Sequence, residues 1–228
     1  MRIPYPGAPF RSSCSPEFSA WPLCHKSKRI ALAEKGVEFE TEEEDVFNSK
    51  SRLLLKMNPI HKKVPVLIHK ERPICESLII VEYIDKVWNH DAPLLPSDHY
   101  QRAHARFWAN YIDQKIFPIG SKLWTSTSDE AKKAAKELVE SFKTLEKALG
   151  EKPSFGGDTF SFVDLDLIAF SSLFHSFEAL GNFRMEAECP RLVAWANRCM
   201  EKESLFDKFK TYEAALGLKK MLGLIERH

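Results

Sequence analysis

The chain has 228 residues with 33 Lys and Arg against 32 Asp and Glu, a formal balance of +1 that offers no large field of either sign to nucleic acid or an anionic bilayer. A hydrophobic share of 44% and a charged share of 29% suit a soluble protein of one large or two modest domains, and no uncharged apolar run approaches the roughly 20 residues of a membrane-spanning helix. The five cysteines (Cys14, Cys24, Cys75, Cys189, Cys199) are odd in number and lack a C-x-x-C pair, which excludes a complete disulfide framework and a zinc ribbon and points to a reducing compartment, the cytosol.

The first 24 residues hold five prolines and three formal charges, so the chain is expected to start irregularly. Arg29 to Gly36 carries Ile30, Leu32 and Ala33 as a short apolar stripe and closes on Lys35-Gly36, which predicts a helix C-terminus. Val37 to Thr41 alternates apolar and polar as a half-buried strand does, and Val64 to His69 is a β-rich run that opens with Val-Pro. Arg72 to Ile74 predicts a third strand, joined through Lys70-Glu71 as a hairpin. Glu76 to Trp88 has apolar residues at helical spacing.

Pro93 to Asp98 reads P-L-L-P-S-D, with no helical period, and is expected to link two packed units, residues 1–92 and 99–228. Beyond it Tyr100 to Trp124, Glu130 to Leu149, Phe162 to Leu180, Pro190 to Lys202 and Leu205 to Ile225 all read as helices. Nine glycines lie below the roughly 7% average share, as suits a mainly helical chain. Ser161, just before Phe162-Val163-Asp164, is expected to cap the free amides of a buried helix while Asp164 reaches back. Asp164 and Asp166 are too close on one helix to face each other across a substrate.

Two short stretches suggest a site. A proline at the head of a strand loses least from its missing N–H, so Val64-Pro65 reads first as an ordinary strand start. In the cis form it would instead turn the Val64 backbone outward, toward an extended peptide. Eleven residues after Val64-Pro65, Cys75-Glu76-Ser77-Leu78 opens a helix whose first-turn amides and Ser77 hydroxyl suit a carboxylate, or serve simply as a cap.

Taken together, N-P-I-H-K-K-V-P-V-L (Asn58 to Leu67) and P-I-C-E-S-L-I-I-V-E-Y-I-D (Pro73 to Asp85) resemble the glutathione-binding domain of the tau class of plant glutathione transferases. So do R-I-A-L-A-E-K-G-V from Arg29, L-L-P-S-D from Leu94, R-F-W-A-N-Y-I-D from Arg106, and F-G-G-D with F-V-D within residues 155–164. The resemblance runs from about Arg29 to the C-terminus. It implies an α/β thioredoxin-like N-terminal domain joined to an all-α C-terminal helical domain, and a cytosolic homodimer. The implied activity conjugates glutathione, a co-substrate, to hydrophobic electrophiles in detoxification, with no cofactor and no metal. The resemblance assigns Lys50 and Lys63 to the glycine carboxylate, the Val64 backbone before cis Pro65 to the cysteinyl unit, and Glu76 with Ser77 to the γ-glutamyl end. A tripeptide with two carboxylates and an ammonium needs cations at one end and, at the other, an anion-binding helix start beside an acid. Phe107 and Tyr111, among the aromatics of the first helix after the linker, are expected to wall the electrophile site, with Phe206, Phe209 and Tyr212 as its cover.

Residues 1–28 depart from this pattern. The family's thiolate-stabilising Ser stands in W-x-S-P-F/Y, seven residues before the Arg of R-I-A-L, where this chain has Pro22. An apolar first strand is also lacking. The candidate substitute hydroxyls are Ser15, Ser19 and Ser27, and Cys24 reads first as a buried cysteine, or else as a thiol able to form mixed disulfides with glutathione. The segment reads either as divergence or as an out-of-frame exon, since codons for Leu23 to Lys28 shifted by one base can encode Phe-Ala-Ile-Arg-Val. The alternative to an enzyme is accordingly a non-catalytic binder of glutathione and apolar ligands, or a product without function.

Overall fold

The computed structural model describes residues 1–3, 23–42, 44, 50–89, 93–171 and 173–201. It divides into two compact units, one from residues up to 91 and one from residues 92–202.

The first unit holds a three-stranded sheet among the described residues, in the order β1-β2-β3. β1 (Arg2–Ile3) runs parallel to β2 (Val66–His69), with Arg2 opposite Ile68 and Ile3 opposite His69. β2 pairs antiparallel with β3 (Arg72–Cys75), with Val66 opposite Cys75 and His69 opposite Arg72. The expected hairpin is therefore present. Its two turn residues, Lys70 and Glu71, take φ of 50° and 60°, the left-handed pair that matches the twist of the flanking strands. Each costs about 1–2 kcal/mol relative to glycine there.

The irregular start is corrected at Met1 to Ile3. The Met1 nitrogen donates to the Val66 carbonyl at 3.0 Å, and the Ile68 amide donates to the Met1 carbonyl at 2.8 Å. Burial, as the largest cause, lowers the pKa of that amino group. The strand expected at Val37 to Thr41 is corrected to a single bridge, in which Arg2 and Glu40 exchange two backbone hydrogen bonds of 2.9 and 2.8 Å.

Helix α1 (Leu23–Glu34) packs against α3 (Ser77–Val87), and Ile30, Ala31, Leu32, Ile80, Val81 and Ile84 are all buried. Gly36, at φ 63°, closes α1 by donating to the Ala33 carbonyl at 2.9 Å, with the Val37 amide on Leu32 at 2.8 Å. Lys35 Nζ reaches Asp85 Oδ1 at 2.8 Å, a buried ion pair between the two helices. The front half of α1 is unusual in burying Lys26, Ser27 and Lys28. Burial pulls the Lys26 amine down to about 7.

The second unit is helical: α4 (His99–Thr125), α5 (Ser128–Leu149), α6 (Phe162–Ser171), α7 (Phe174–Gly181), α8 (Met185–Glu188) and α9 (Pro190–Met200). Asp98 caps α4 by accepting from the Gln101 amide at 2.8 Å, and Thr127 with Glu130 forms a capping box on α5. The single helix expected from Phe162 to Leu180 is corrected to two. The Ser171 hydroxyl donates to the Ile168 carbonyl at 2.8 Å and the Leu173 amide tightens onto Phe170 at 2.8 Å, which ends α6. The helix expected over Leu205 to Ile225 lies outside the described residues.

The expected linker is docked on this unit. Leu94 and Leu95 are buried, and the Leu94 carbonyl accepts the first amide of α6, Phe162, at 2.9 Å. The Ser161 hydroxyl accordingly does not cap that helix. It donates to Asp164 at 2.5 Å, and Asp164 reaches back to the Ser161 amide at 2.9 Å as expected. Asp164 is fully buried and also accepts the Phe155 amide at 2.8 Å. Gly156 is required beside it, because a Cβ there would lie 2.4 Å from the Thr159 carbonyl oxygen.

Candidate functional site

Four expected site residues gather where β2 and β3 meet α3. The Val64-Pro65 bond is cis. Neither the N–H nor the C=O of Val64 has a hydrogen-bond partner among the described residues. β2 and β3 pair as far as Val66 and Cys75, so Val64, two residues before that pair, and Ser77, two residues after it, leave the same end of the hairpin. An extended peptide laid along this edge finds one donor and one acceptor at Val64. Lys63, the preceding residue, is exposed.

Helix α3 begins without a side-chain cap. Its first backbone bond runs from Ile80 to the Glu76 carbonyl at 2.9 Å, so the amides of Ser77, Leu78 and Ile79 have no partner among the described residues. Ser77 sits inside the first turn, so its reading as a simple cap is corrected. The amino end of a helix carries roughly half a positive charge, and three unused amides there suit a carboxylate. Glu76, immediately before them, holds φ 72° and ψ 130°. That conformation is rare outside glycine and costs about 1–3 kcal/mol; it leaves the carboxylate 57% exposed. Glu76 Oε1 lies 4.0 Å from His61 Nε2. An exposed acid beside exposed helix amides can meet an ammonium and a carboxylate on neighbouring atoms of one ligand. The neighbouring Cys75 thiol points to packing: it sits against Leu54, Val66 and Ile68, and burial followed by the Glu76 charge raises its pKa.

The loop that carries Lys63 hangs on Asn58, a buried residue at the end of α2 (Arg52–Met57). Glu44 and Ser51 fix the other end of α2. The Ser51 amide and hydroxyl both donate to the Glu44 carboxylate, the amide at 3.0 Å, and the Ser51 oxygen accepts the Leu54 amide at 3.0 Å. Lys50, one residue before Ser51, is exposed. A small cavity lined by Glu44, Leu53, Met57 and Val64 lies between α2 and the sheet.

The remaining candidates fall elsewhere. Ser27 lies in the buried part of α1, and its oxygen accepts from Lys28 Nζ at 2.9 Å. Ser15, Ser19, Pro22 and the C-terminal Phe206, Phe209 and Tyr212 lie outside the described residues, as does the side chain of Cys24. Phe107 and Tyr111 are on α4 of the second unit, Phe107 exposed and Tyr111 half-buried. Each makes an edge contact with Trp108, at ring distances of 5.2 and 5.6 Å. The residues that reasoning from the sequence missed are Asn58, His61, Glu44 and Ser51. Asn58-Pro59 is a turn dipeptide and carried a signal; Glu44, in a run of acids, carried none. Among the described residues no cluster of His, Cys, Asp and Glu could hold a metal ion.

Two family models match this chain: "Glutathione S-transferase, N-terminal domain" over residues 18–86 and "Glutathione S-transferase, C-terminal domain" over residues 107–203. Soybean (Glycine max) Glutathione S-transferase 3 is 56% identical over 198 residues, 85% of this chain and 90% of that protein. The tobacco (Nicotiana tabacum) probable glutathione S-transferase parC is 54% identical over 210 residues, 90% and 95% of the two chains. Among solved structures, rice GST1 in complex with glutathione superposes with a TM-score of 0.80 at 42% identity, covering 88% of this chain and 93% of that one. A tau-class glutathione S-transferase from mango (Mangifera indica) does so with a TM-score of 0.78 at 39% identity, over 87% and 96%.

Proposed function

The chain belongs to the glutathione S-transferase family, in its tau class, and from that premise we propose how it conjugates glutathione. The thiolate of bound glutathione attacks a hydrophobic electrophile. A new sulfur–carbon bond forms as a leaving group departs with its electron pair or, with an activated double bond, as the neighbouring carbon takes a proton from solvent. The thiol proton goes to water. The protein's contribution is to orient the sulfur and stabilise its negative charge; a thiol pKa starts near 8.5, and each unit of lowering is worth about 1.4 kcal/mol.

The observation that carries the assignment of residues is the uncapped start of α3 with the Glu76 carboxylate beside it, at the end of the hairpin where the Val64 backbone has no partner among the described residues. On this reading the Ser77 amide and hydroxyl hold the γ-glutamyl carboxylate, Glu76 its ammonium, Val64 the cysteinyl unit, and Lys50 and Lys63 the glycine carboxylate. Phe107 and Tyr111 contribute to the electrophile site. The protein acts as a homodimer in the cytosol, in detoxification. Among the described residues no helix is long and apolar enough to cross a membrane.

Calorimetric titration with glutathione, followed by ultraviolet titration of the bound thiol, tests the proposal. Saturable binding with a thiol pKa lowered by about two units is expected of a catalyst. An unshifted thiol would leave a carrier of glutathione and apolar ligands, which is what Pro22 in place of the family's Ser would produce if no other hydroxyl serves. Ser27→Ala then asks whether Ser27 is that hydroxyl. Absence of binding would overturn the site.

A further inference from the structure

We infer that Asn58 is the positioning residue of the glutathione site, a single buried side chain that sets the spacing between its two charged ends. The inference rests on the assignment of Lys63, Val64 and Glu76 given above. Asn58 is 3% exposed, and every polar group it owns is used. Its amide donates to the Leu54 carbonyl at 2.8 Å, which ties it to the end of α2. Its carbonyl accepts the Lys62 amide at 2.9 Å. Its side-chain Nδ2 donates to the Lys63 carbonyl at 2.9 Å, and its Oδ1 accepts the His61 amide at 3.1 Å.

The partners fall at both ends of the site. The Lys63 carbonyl belongs to the peptide unit that leads into Val64, so the Nδ2 bond fixes the plane from which the Val64 N–H is presented and the root of the Lys63 side chain. His61, held through its amide, places its imidazole 4.0 Å from the Glu76 carboxylate. Between these two bonds Lys62 adopts φ 52°, a left-handed conformation that its own side chain disfavours and that its bond to the Asn58 carbonyl maintains. Donor and acceptor on opposite corners of one side chain are both required, and only an amide supplies them. An aspartate has the same shape, keeps the acceptor for His61, and turns a carboxylate oxygen toward the Lys63 carbonyl.

Asn58→Asp in the full chain separates positioning from general support. We expect its dissociation constant for glutathione, measured calorimetrically, to rise about tenfold while the protein still melts cooperatively. In a Lys63→Ala background the same substitution is expected to cost measurably less, because one of the groups it positions is already gone. A purely structural role predicts equal fold losses in both backgrounds, and that result overturns the inference; so does glutathione affinity within twofold of the parent. Should N58D fail to fold, N58S, small and uncharged, is read by the same two criteria. A parent chain that does not bind glutathione removes the site assignment and this inference with it. A parent that binds, beside an N58D that binds equally well, removes this inference alone.

Discussion

Trp195 on α9 donates its indole N–H to Asp164 on α6 at 2.7 Å, joining two helices 31 positions apart through a carboxylate with no exposure to solvent. The same carboxylate takes the Ser161 hydroxyl and amide and the Phe155 amide. One acid thus satisfies donors from a helix start, a turn and a distant helix.

Asp164→Ala should be among the most destabilising substitutions in the second unit, by about 3–5 kcal/mol, since it strands several buried donors at once. Trp195→Phe keeps the ring volume nearly whole and removes one donor, and should cost about 1–2 kcal/mol. Urea denaturation of both variants checks the ranking; a Trp195→Phe protein less stable than Asp164→Ala would place the energy in the ring packing instead.

Gly120 on α4 lies against Phe177 on α7, where an added Cβ would come within 2.5 Å of the ring. Both positions are buried, and Phe177 is stacked in turn on Trp124 with centroids 6.0 Å apart. Gly120→Ala should therefore destabilise by about 1–3 kcal/mol despite alanine's better helix propensity. Combining it with Phe177→Leu should cost less than the two changes added together. Strict additivity in the double variant would show that the ring is not what the methyl group meets.

Lys26 gives stability a pH dependence whose sign can be worked out. Its amine titrates at about 7 when folded and at its ordinary 10.5 when unfolded. Between those values the unfolded chain binds one more proton, so stability rises with pH, by a few kcal/mol at most across the window. Below pH 7 both states are protonated and the cost of the buried charge is fully present. Above pH 9 the Cys189 thiol opposes the trend: burial lifts it to about 12, so the unfolded chain loses that proton first. Denaturation midpoints should climb from pH 7 to 9 and then flatten. Lys26→Met should raise the midpoint at pH 7 and remove the climb above pH 8, leaving below it only the contribution of the buried Met1 amino group; a climb above pH 8 that survives in that variant would point to another group.

At the proposed glutathione site, Glu76→Gln and Lys63→Ala should each weaken glutathione binding by about 10-fold, near the low end for hydrogen bonds to charged groups because both side chains are exposed. Rising salt should weaken the parent's binding more than that of Lys63→Ala. Equal salt sensitivity in the two proteins would remove Lys63 from the glycine carboxylate.

Much of this molecule is legible in its residues, and the exceptions have physical causes. The β2–β3 hairpin follows from alternation around Lys70-Glu71, and α4, α5 and α9 follow from apolar spacing. A strand of two residues, Arg2–Ile3, has no period to detect. The division between α6 and α7 turns on the Ser171 hydroxyl bonding to its own helix, which leaves the apolar pattern of Phe162 to Leu180 unbroken. Asn58 announces a turn but not the four bonds it makes there, because its partners are set by the fold of the whole loop. At Glu76 propensity and conformation conflict outright: a non-glycine residue at φ 72° is what a reading of local preference would reject.

The raised thiols of Cys75 and Cys189 have a further meaning if the proposed conjugation of electrophiles holds. Only a thiolate reacts quickly with such compounds, and these two side chains keep their protons well past neutrality. An incoming electrophile thus meets two inert sulfurs in the polypeptide and a reactive one in its bound co-substrate. The catalyst is spared self-inactivation at these positions while the tripeptide is consumed in its place.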